Sequence, residues 1–166
     1  MTERTDSSVD GDALAGGDRT TATRVHVTET LARIGASIGA QRAELYQRED
    51  DHVRLVGWWA ALHHLVVPPN LSAVVPSDWF PWTLGNIQRA GHVFVRNAAT
   101  LPLRPGAATI TIGELGMGSA LYLPLHDGIV PIGAVCAYWA QERDDWDATS
   151  VEHLADLGRE ALMPRP

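Results

Sequence analysis

The pattern of apolar and polar positions is densest at Ser119–Trp139, SALYLPLHDGIVPIGAVCAYW. Two β-favouring runs, Ala120–Leu125 and Ile129–Trp139, flank the dipeptide Asp127-Gly128. That dipeptide between such runs predicts a tight hairpin, with a type I′ turn taking positive φ at both central residues. Neither run alternates cleanly. Ala120, Leu121, Tyr122, Leu123 and Leu125 put apolar atoms on both faces, as do Ile132, Ala134, Val135, Cys136 and Ala137. Strands of this kind are covered on both sides, so the hairpin is expected at the centre of a sheet with a layer on each face.

The other elements follow in chain order. Residues 1–21 are polar and Gly-rich, which predicts a disordered tail before a domain spanning 22–162, with 163–166 as its end. Val27, Leu31, Ile34 and Ile38 draw an apolar stripe along a helix that Gly39 is placed to end. Arg42–Arg48 alternates, Ala43, Leu45 and Gln47 pointing one way and Glu44 and Tyr46 the other. With Val53–Leu62 it makes a first hairpin across the polar turn Glu49–His52. Residues 63–75 read as loop, Pro76-Ser77-Asp78 as a helix cap, Trp79–Ala90 as a short helix and His92–Arg96 as a third strand. Asp147 caps a last helix whose inner face is Val151, Leu154, Ala155, Gly158 and Leu162. The order predicts an α+β domain: a central antiparallel sheet, terminal helices on one face, and the crossover Leu62–Gly118 over the other.

Composition narrows the function classes. The net charge of −7 argues against nucleic acid or an anionic membrane surface as partner. A single cysteine, Cys136, excludes an internal disulfide and a thiolate cluster. No apolar leader or span of about 20 residues is present, so a cytoplasmic protein is expected.

Several of these residues carry a resemblance. SALYLPL at Ser119–Leu125, the turn Asp127-Gly128, PIGAV at Pro131–Val135 and Trp146-Asp147 resemble the GAF domain, a small ligand-binding module of signalling proteins. Trp58-Trp59, SDWFPW at Ser77–Trp82, AGHVFVRN at Ala90–Asn97 and Leu101-Pro102 fit the same family, in the subgroup found before bacterial sensor kinases and diguanylate cyclases. The likeness runs from about Ala22 to Leu162. It implies a lid formed by the crossover over a small-molecule pocket, and dimerisation through the terminal helices. It leaves the ligand open.

Trp79, Phe80 and Trp82 on the lid segment can form an aromatic wall for a flat or apolar ligand, or can seal the helix to the sheet. Trp58 and Trp59 point to opposite faces of a strand, so one of them looks at the pocket side. Val95, Cys136 and Tyr138 complete the expected pocket, Cys136 and Tyr138 sharing a face; a thiol in an apolar strand is more often a small buried hydrophobe than a sensor. Haem needs a single axial histidine, for which His63, His64 and His92 are the candidates. No zinc-binding spacing occurs. The chain has no lysine, so the Asn-Lys-x-Asp-Glu signature of cyclic-nucleotide-binding relatives is missing. No nucleophile elbow or paired-carboxylate site supports catalysis. The expectation is a sensory domain, homodimeric, binding an unidentified small molecule and signalling to a separate effector protein. A ligand-free interaction module and a haem or redox sensor are the rivals.

Overall fold

A computed structural model of the chain describes residues 12–61, 74–76, 91–97 and 116–163. Helix α1 (Asp12–Ile38) leads into strands β1 (Arg42–Glu49) and β2 (His52–Ala60). Strands β3 (Val74–Pro76), β4 (Val93–Val95), β5 (Ser119–Asp127) and β6 (Val130–Trp139) follow, and helix α2 (Val151–Leu162) comes last. The strands form one six-stranded sheet in the order β3-β2-β1-β6-β5-β4, every neighbouring pair antiparallel. The predicted α+β class and both hairpins are present. No helix among the described residues is long and apolar enough to cross a membrane.

Both helices cover the same face. From α1, Val27, Leu31 and Ile34 pack against Ala43 and Leu45 of β1, Leu121, Leu123 and Leu125 of β5, and Val135 and Ala137 of β6. From α2, Leu154, Ala155, Leu157 and Ala161 join the same core. Close approach is achieved with glycine on both surfaces. A Cβ on Gly57 of β2 would lie 2.4 Å from the Val27 side chain, and one on Gly35 of α1 would lie 2.1 Å from the Trp59 ring. Gly39, at φ +65°, stops α1 as its position predicts. The indole N–H of Trp139 then donates to the carbonyl of Ile38 at 3.3 Å, pinning the end of β6 to the end of α1.

Four expectations need correction or lie elsewhere. The helix begins at Asp12, so residues 12–21 of the expected tail are helical. These positions lack an apolar stripe. They extend a helix whose nucleation is already met downstream, with Ala13, Leu14 and Ala15 favouring the helix and Gly16 and Gly17 weakening it. Residues 74–76, expected as loop and helix cap, are an edge strand on β2, Val75 pairing with Val53 and Pro76 with His52. Proline is tolerated there because an edge strand leaves N–H groups unpaired. The β5–β6 turn is centred on Gly128-Ile129, because Asp127 pairs with Val130. Gly128 has φ +58° while Ile129 stays at negative φ, the type II′ arrangement with glycine first. The expected lid helix Trp79–Ala90 lies outside the described residues.

Asp147 caps as predicted, but through one turn of 3₁₀ helix (Ala148–Ser150) before α2. Its carboxylate accepts from the Thr149 N–H at 2.9 Å, and the side-chain hydroxyl and backbone N–H of Thr149 hold its pKa below the usual value.

A polar and aromatic face opposite the helices

Strand pairing lines up side chains across the second face of the sheet. Trp58 of β2 pairs with Glu44 of β1, Glu44 with Cys136 of β6, Cys136 with Tyr122 of β5, and Tyr122 with Val93 of β4. A second row runs beside it: Ala60, Arg42, Tyr138, Ala120, Val95. Residues directly opposite in a sheet share a face, so two rows from five strands converge on one surface. Val93, Val95, Met117, Ala120, Tyr122, Cys136 and Tyr138 pack there as a second buried cluster, with Tyr46 against its edge.

At the middle of this surface sits an ion pair. Arg42 and Glu44 are each 1% exposed, and the Arg42 Nε donates to Glu44 Oε1 at 2.7 Å while its terminal nitrogen contacts the same oxygen. The other carboxylate oxygen accepts two phenols, Tyr46 at 2.8 Å and Tyr138 at 3.0 Å. The Arg42 guanidinium also lies 5.2 Å from the centre of the Trp58 ring, within cation–π range. Burying two charges is costly unless they are paired and fully bonded, and both conditions hold here.

This surroundings keeps the remaining groups neutral. Burial pushes the Tyr46, Tyr122 and Tyr138 phenols well above their ordinary value of 10.0, and the Glu44 charge adds to the rise in each. Burial likewise pushes the Cys136 thiol up, with Glu44 second. A thiol held protonated and 5% exposed is a poor nucleophile.

The expected pocket residues divide in three ways. Trp58, Val95, Cys136 and Tyr138 are all brought to this face. Trp79, Phe80 and Trp82 lie outside the described residues, as do His63 and His64. His92 is turned away: its ring meets Trp146 edge-on at 5.2 Å, and Trp146 packs on the helix-side core. It therefore does not fit an axial ligand on this face. Among the described residues no three His, Cys, Asp or Glu side chains gather into a metal-holding group. Arg42, Glu44, Tyr46 and Tyr122 lie on the same face and are not among the expected pocket residues. Their signal is the spacing Arg42-x-Glu44-x-Tyr46, three polar or aromatic side chains on one face of a strand whose other face is Ala43 and Leu45.

No protein-family model matches the chain, and no curated protein matches it. Solved structures do. The blue-light-absorbing form of the PixJ GAF domain of Thermosynechococcus elongatus is similar at TM-score 0.65 and 14% identity, over 92% of this chain and 88% of that one. A phycocyanobilin-bound GAF domain from a cyanobacterial phytochrome gives TM-score 0.64 and 17% identity over 93% and 95%. The GAF domain/HD domain protein of Geobacter sulfurreducens gives 0.66 and 12% over 90% and 94%. The fold of the chain is that of a GAF domain.

Proposed function

We propose that the chain is a sensory or regulatory domain that binds a small molecule on the face of Arg42, Glu44, Trp58, Tyr122 and Tyr138. The observation that carries this reading is the contrast between the two faces of one sheet. The helix side is apolar throughout, aliphatic side chains with the rings of Trp59, Phe94, Trp139 and Trp146. The other side spends its central positions on a buried ion pair bonded to two phenols and stacked under an indole. A core needs none of these groups, whereas a recognition surface combines an apolar wall with a few fixed polar atoms. Two solved structures with this fold hold phycocyanobilin and phycoerythrobilin, which supports a flat organic ligand for this chain as well.

The ligand is held without a covalent bond, since the chain's one thiol, Cys136, is buried and kept protonated. The crossover between β2 and β5 closes over it, with Trp79, Phe80 and Trp82 supplying aromatic contacts. Binding favours one arrangement of that crossover, and α1 and α2, packed on the reverse of the same strands, carry the shift to a second copy and to a separate effector protein. The role is recognition, with no reaction performed.

Native and denatured mass spectra of the purified protein test this. A mass increment present only in the native spectrum is the expected result, reduced in Trp82→Ala and Trp58→Ala at unchanged fold. A bare-chain mass, together with no thermal shift from any compound of a metabolite panel, overturns ligand binding in favour of a ligand-free interaction module.

A further inference from the structure

One polar atom on this face has incomplete bonding. Among the described residues, the Tyr122 hydroxyl is buried and has no hydrogen-bond partner, on a residue that is itself 4% exposed. No described group takes its proton in hydrogen-bonding geometry. Tyr138, edge-on to Tyr122 with ring centroids 6.3 Å apart, gives its own proton to Glu44 and does not receive that of Tyr122. Glu44 is occupied at both oxygens, by Arg42 at one and by Tyr46 and Tyr138 at the other. Buried hydroxyls are ordinarily satisfied, and an orphan on the fourth strand of a five-strand row is a position awaiting an acceptor.

The charge balance of the same face says what kind of molecule brings that acceptor. The two buried charges, Arg42 and Glu44, neutralise each other. Tyr46, Tyr122, Tyr138 and Cys136 are uncharged at neutral pH. Among the described residues of this face a charged ligand would leave water and meet no net counter-charge, the costliest form of burial. An uncharged one would lay an apolar body against Trp58, Val93 and Val95.

Resting on the ligand-binding reading above, we infer that this face takes an uncharged, largely apolar small molecule whose carbonyl or ring nitrogen accepts the Tyr122 hydroxyl proton. Tyr122 then supplies the directional contact, while the Arg42–Glu44 pair stays closed and serves as a rigid floor.

Three probes of one shape separate the elements of this inference: 2-acetylnaphthalene (neutral, with an acceptor), 2-ethylnaphthalene (neutral, without one) and 2-naphthoate (anionic). Their dissociation constants are measured by tryptophan fluorescence on the wild type and on Tyr122→Phe. Expected is an acetyl compound bound about tenfold tighter than either of the others, the scale of one well-formed buried hydrogen bond. In Tyr122→Phe the acetyl and ethyl compounds should bind alike, and the bare variant should melt no lower than the wild type. Naphthoate binding as tightly as the ketone overturns the inference, as does an acetyl preference that survives Tyr122→Phe. A lower melting temperature of bare Tyr122→Phe overturns it too, because the hydroxyl would then have a partner within the protein. Those outcomes leave ligand binding at this face standing, whereas failure of all three probes to bind counts against the face itself and the inference with it.

Discussion

The Tyr138 hydroxyl donates to the Glu44 carboxylate at 3.0 Å across 94 positions of sequence. A phenol on the last strand thus fixes a buried acid on the first. Removing that donor alone leaves Glu44 bonded to Arg42 and Tyr46, so Tyr138→Phe should cost about 1.5–3 kcal/mol, the range for a hydrogen bond to a charged group. Glu44→Ala removes the carboxylate that balances the buried Arg42 cation and should cost about 3–5 kcal/mol. The double variant Arg42→Met/Glu44→Leu removes both charges and should be more stable than Glu44→Ala. Urea denaturation of the set checks the order; a double variant less stable than either single one would count against the pair as the organising contact.

Stability should fall steeply in alkali. Tyr46, Tyr122 and Tyr138 have folded pKa values raised above 10.0, and Cys136 above 9.0. Below those unfolded values both states hold the protons and nothing is lost. Above them the unfolded chain releases protons that the folded chain retains, so each group lowers stability by about 1.4 kcal/mol per pH unit. Phenolate absorbance should rise together with loss of circular dichroism above about pH 10. Gradual ionisation of all three tyrosines in a folded protein would contradict their burial.

Helix α1 meets the sheet through a notch at Gly35 that receives the Trp59 ring. Gly35→Ala places a Cβ where the indole sits, 2.1 Å from its nearest atom, and should destabilise by about 1–3 kcal/mol. Trp59→Leu costs stability by itself, yet combined with Gly35→Ala it should cost less than the sum, because the smaller side chain relieves the clash. Additive effects in the double variant would mean that the two residues do not touch.

Cys136 should be inert in the native state. At 5% exposure and with a raised pKa, it should react with a disulfide reagent only as fast as the protein opens, and labelling should accelerate with urea in step with unfolding. Fast labelling of the folded protein would show the face to be open at that strand.

Much of this architecture is written in two-residue alternation. Ala43 and Leu45 against Glu44 and Tyr46, and Trp58 against Trp59, are legible as opposite faces because the strand period is two. Which face meets the helices is not legible from parity, since it is decided by distant partners. Gly35, on another element, is what gives Trp59 its place. The Arg42–Glu44–Tyr46 spacing was visible, but its meaning depends on Tyr138 arriving from the far end of the chain. The strand at Val74–Pro76 has no periodicity to read at three residues, and exists through pairing with β2. The amino-terminal part of α1 carries no apolar stripe, so its sequence reads as tail.

The two inner strands of the sheet, β1 and β6, come from opposite ends of the described chain and are paired from Arg42↔Tyr138 to Gln47↔Gly133. Each hairpin can form by itself from local contacts, in about microseconds. Joining them means closing a loop of nearly the whole domain, which loses chain entropy before the Glu44 bonds or the helix-side core repay it. The rate of folding is therefore set by that one seam. Substitutions along it should slow folding, while those at the hairpin tips should mainly speed unfolding. A ribosome must also have released β6 before β1 gains its second neighbouring strand.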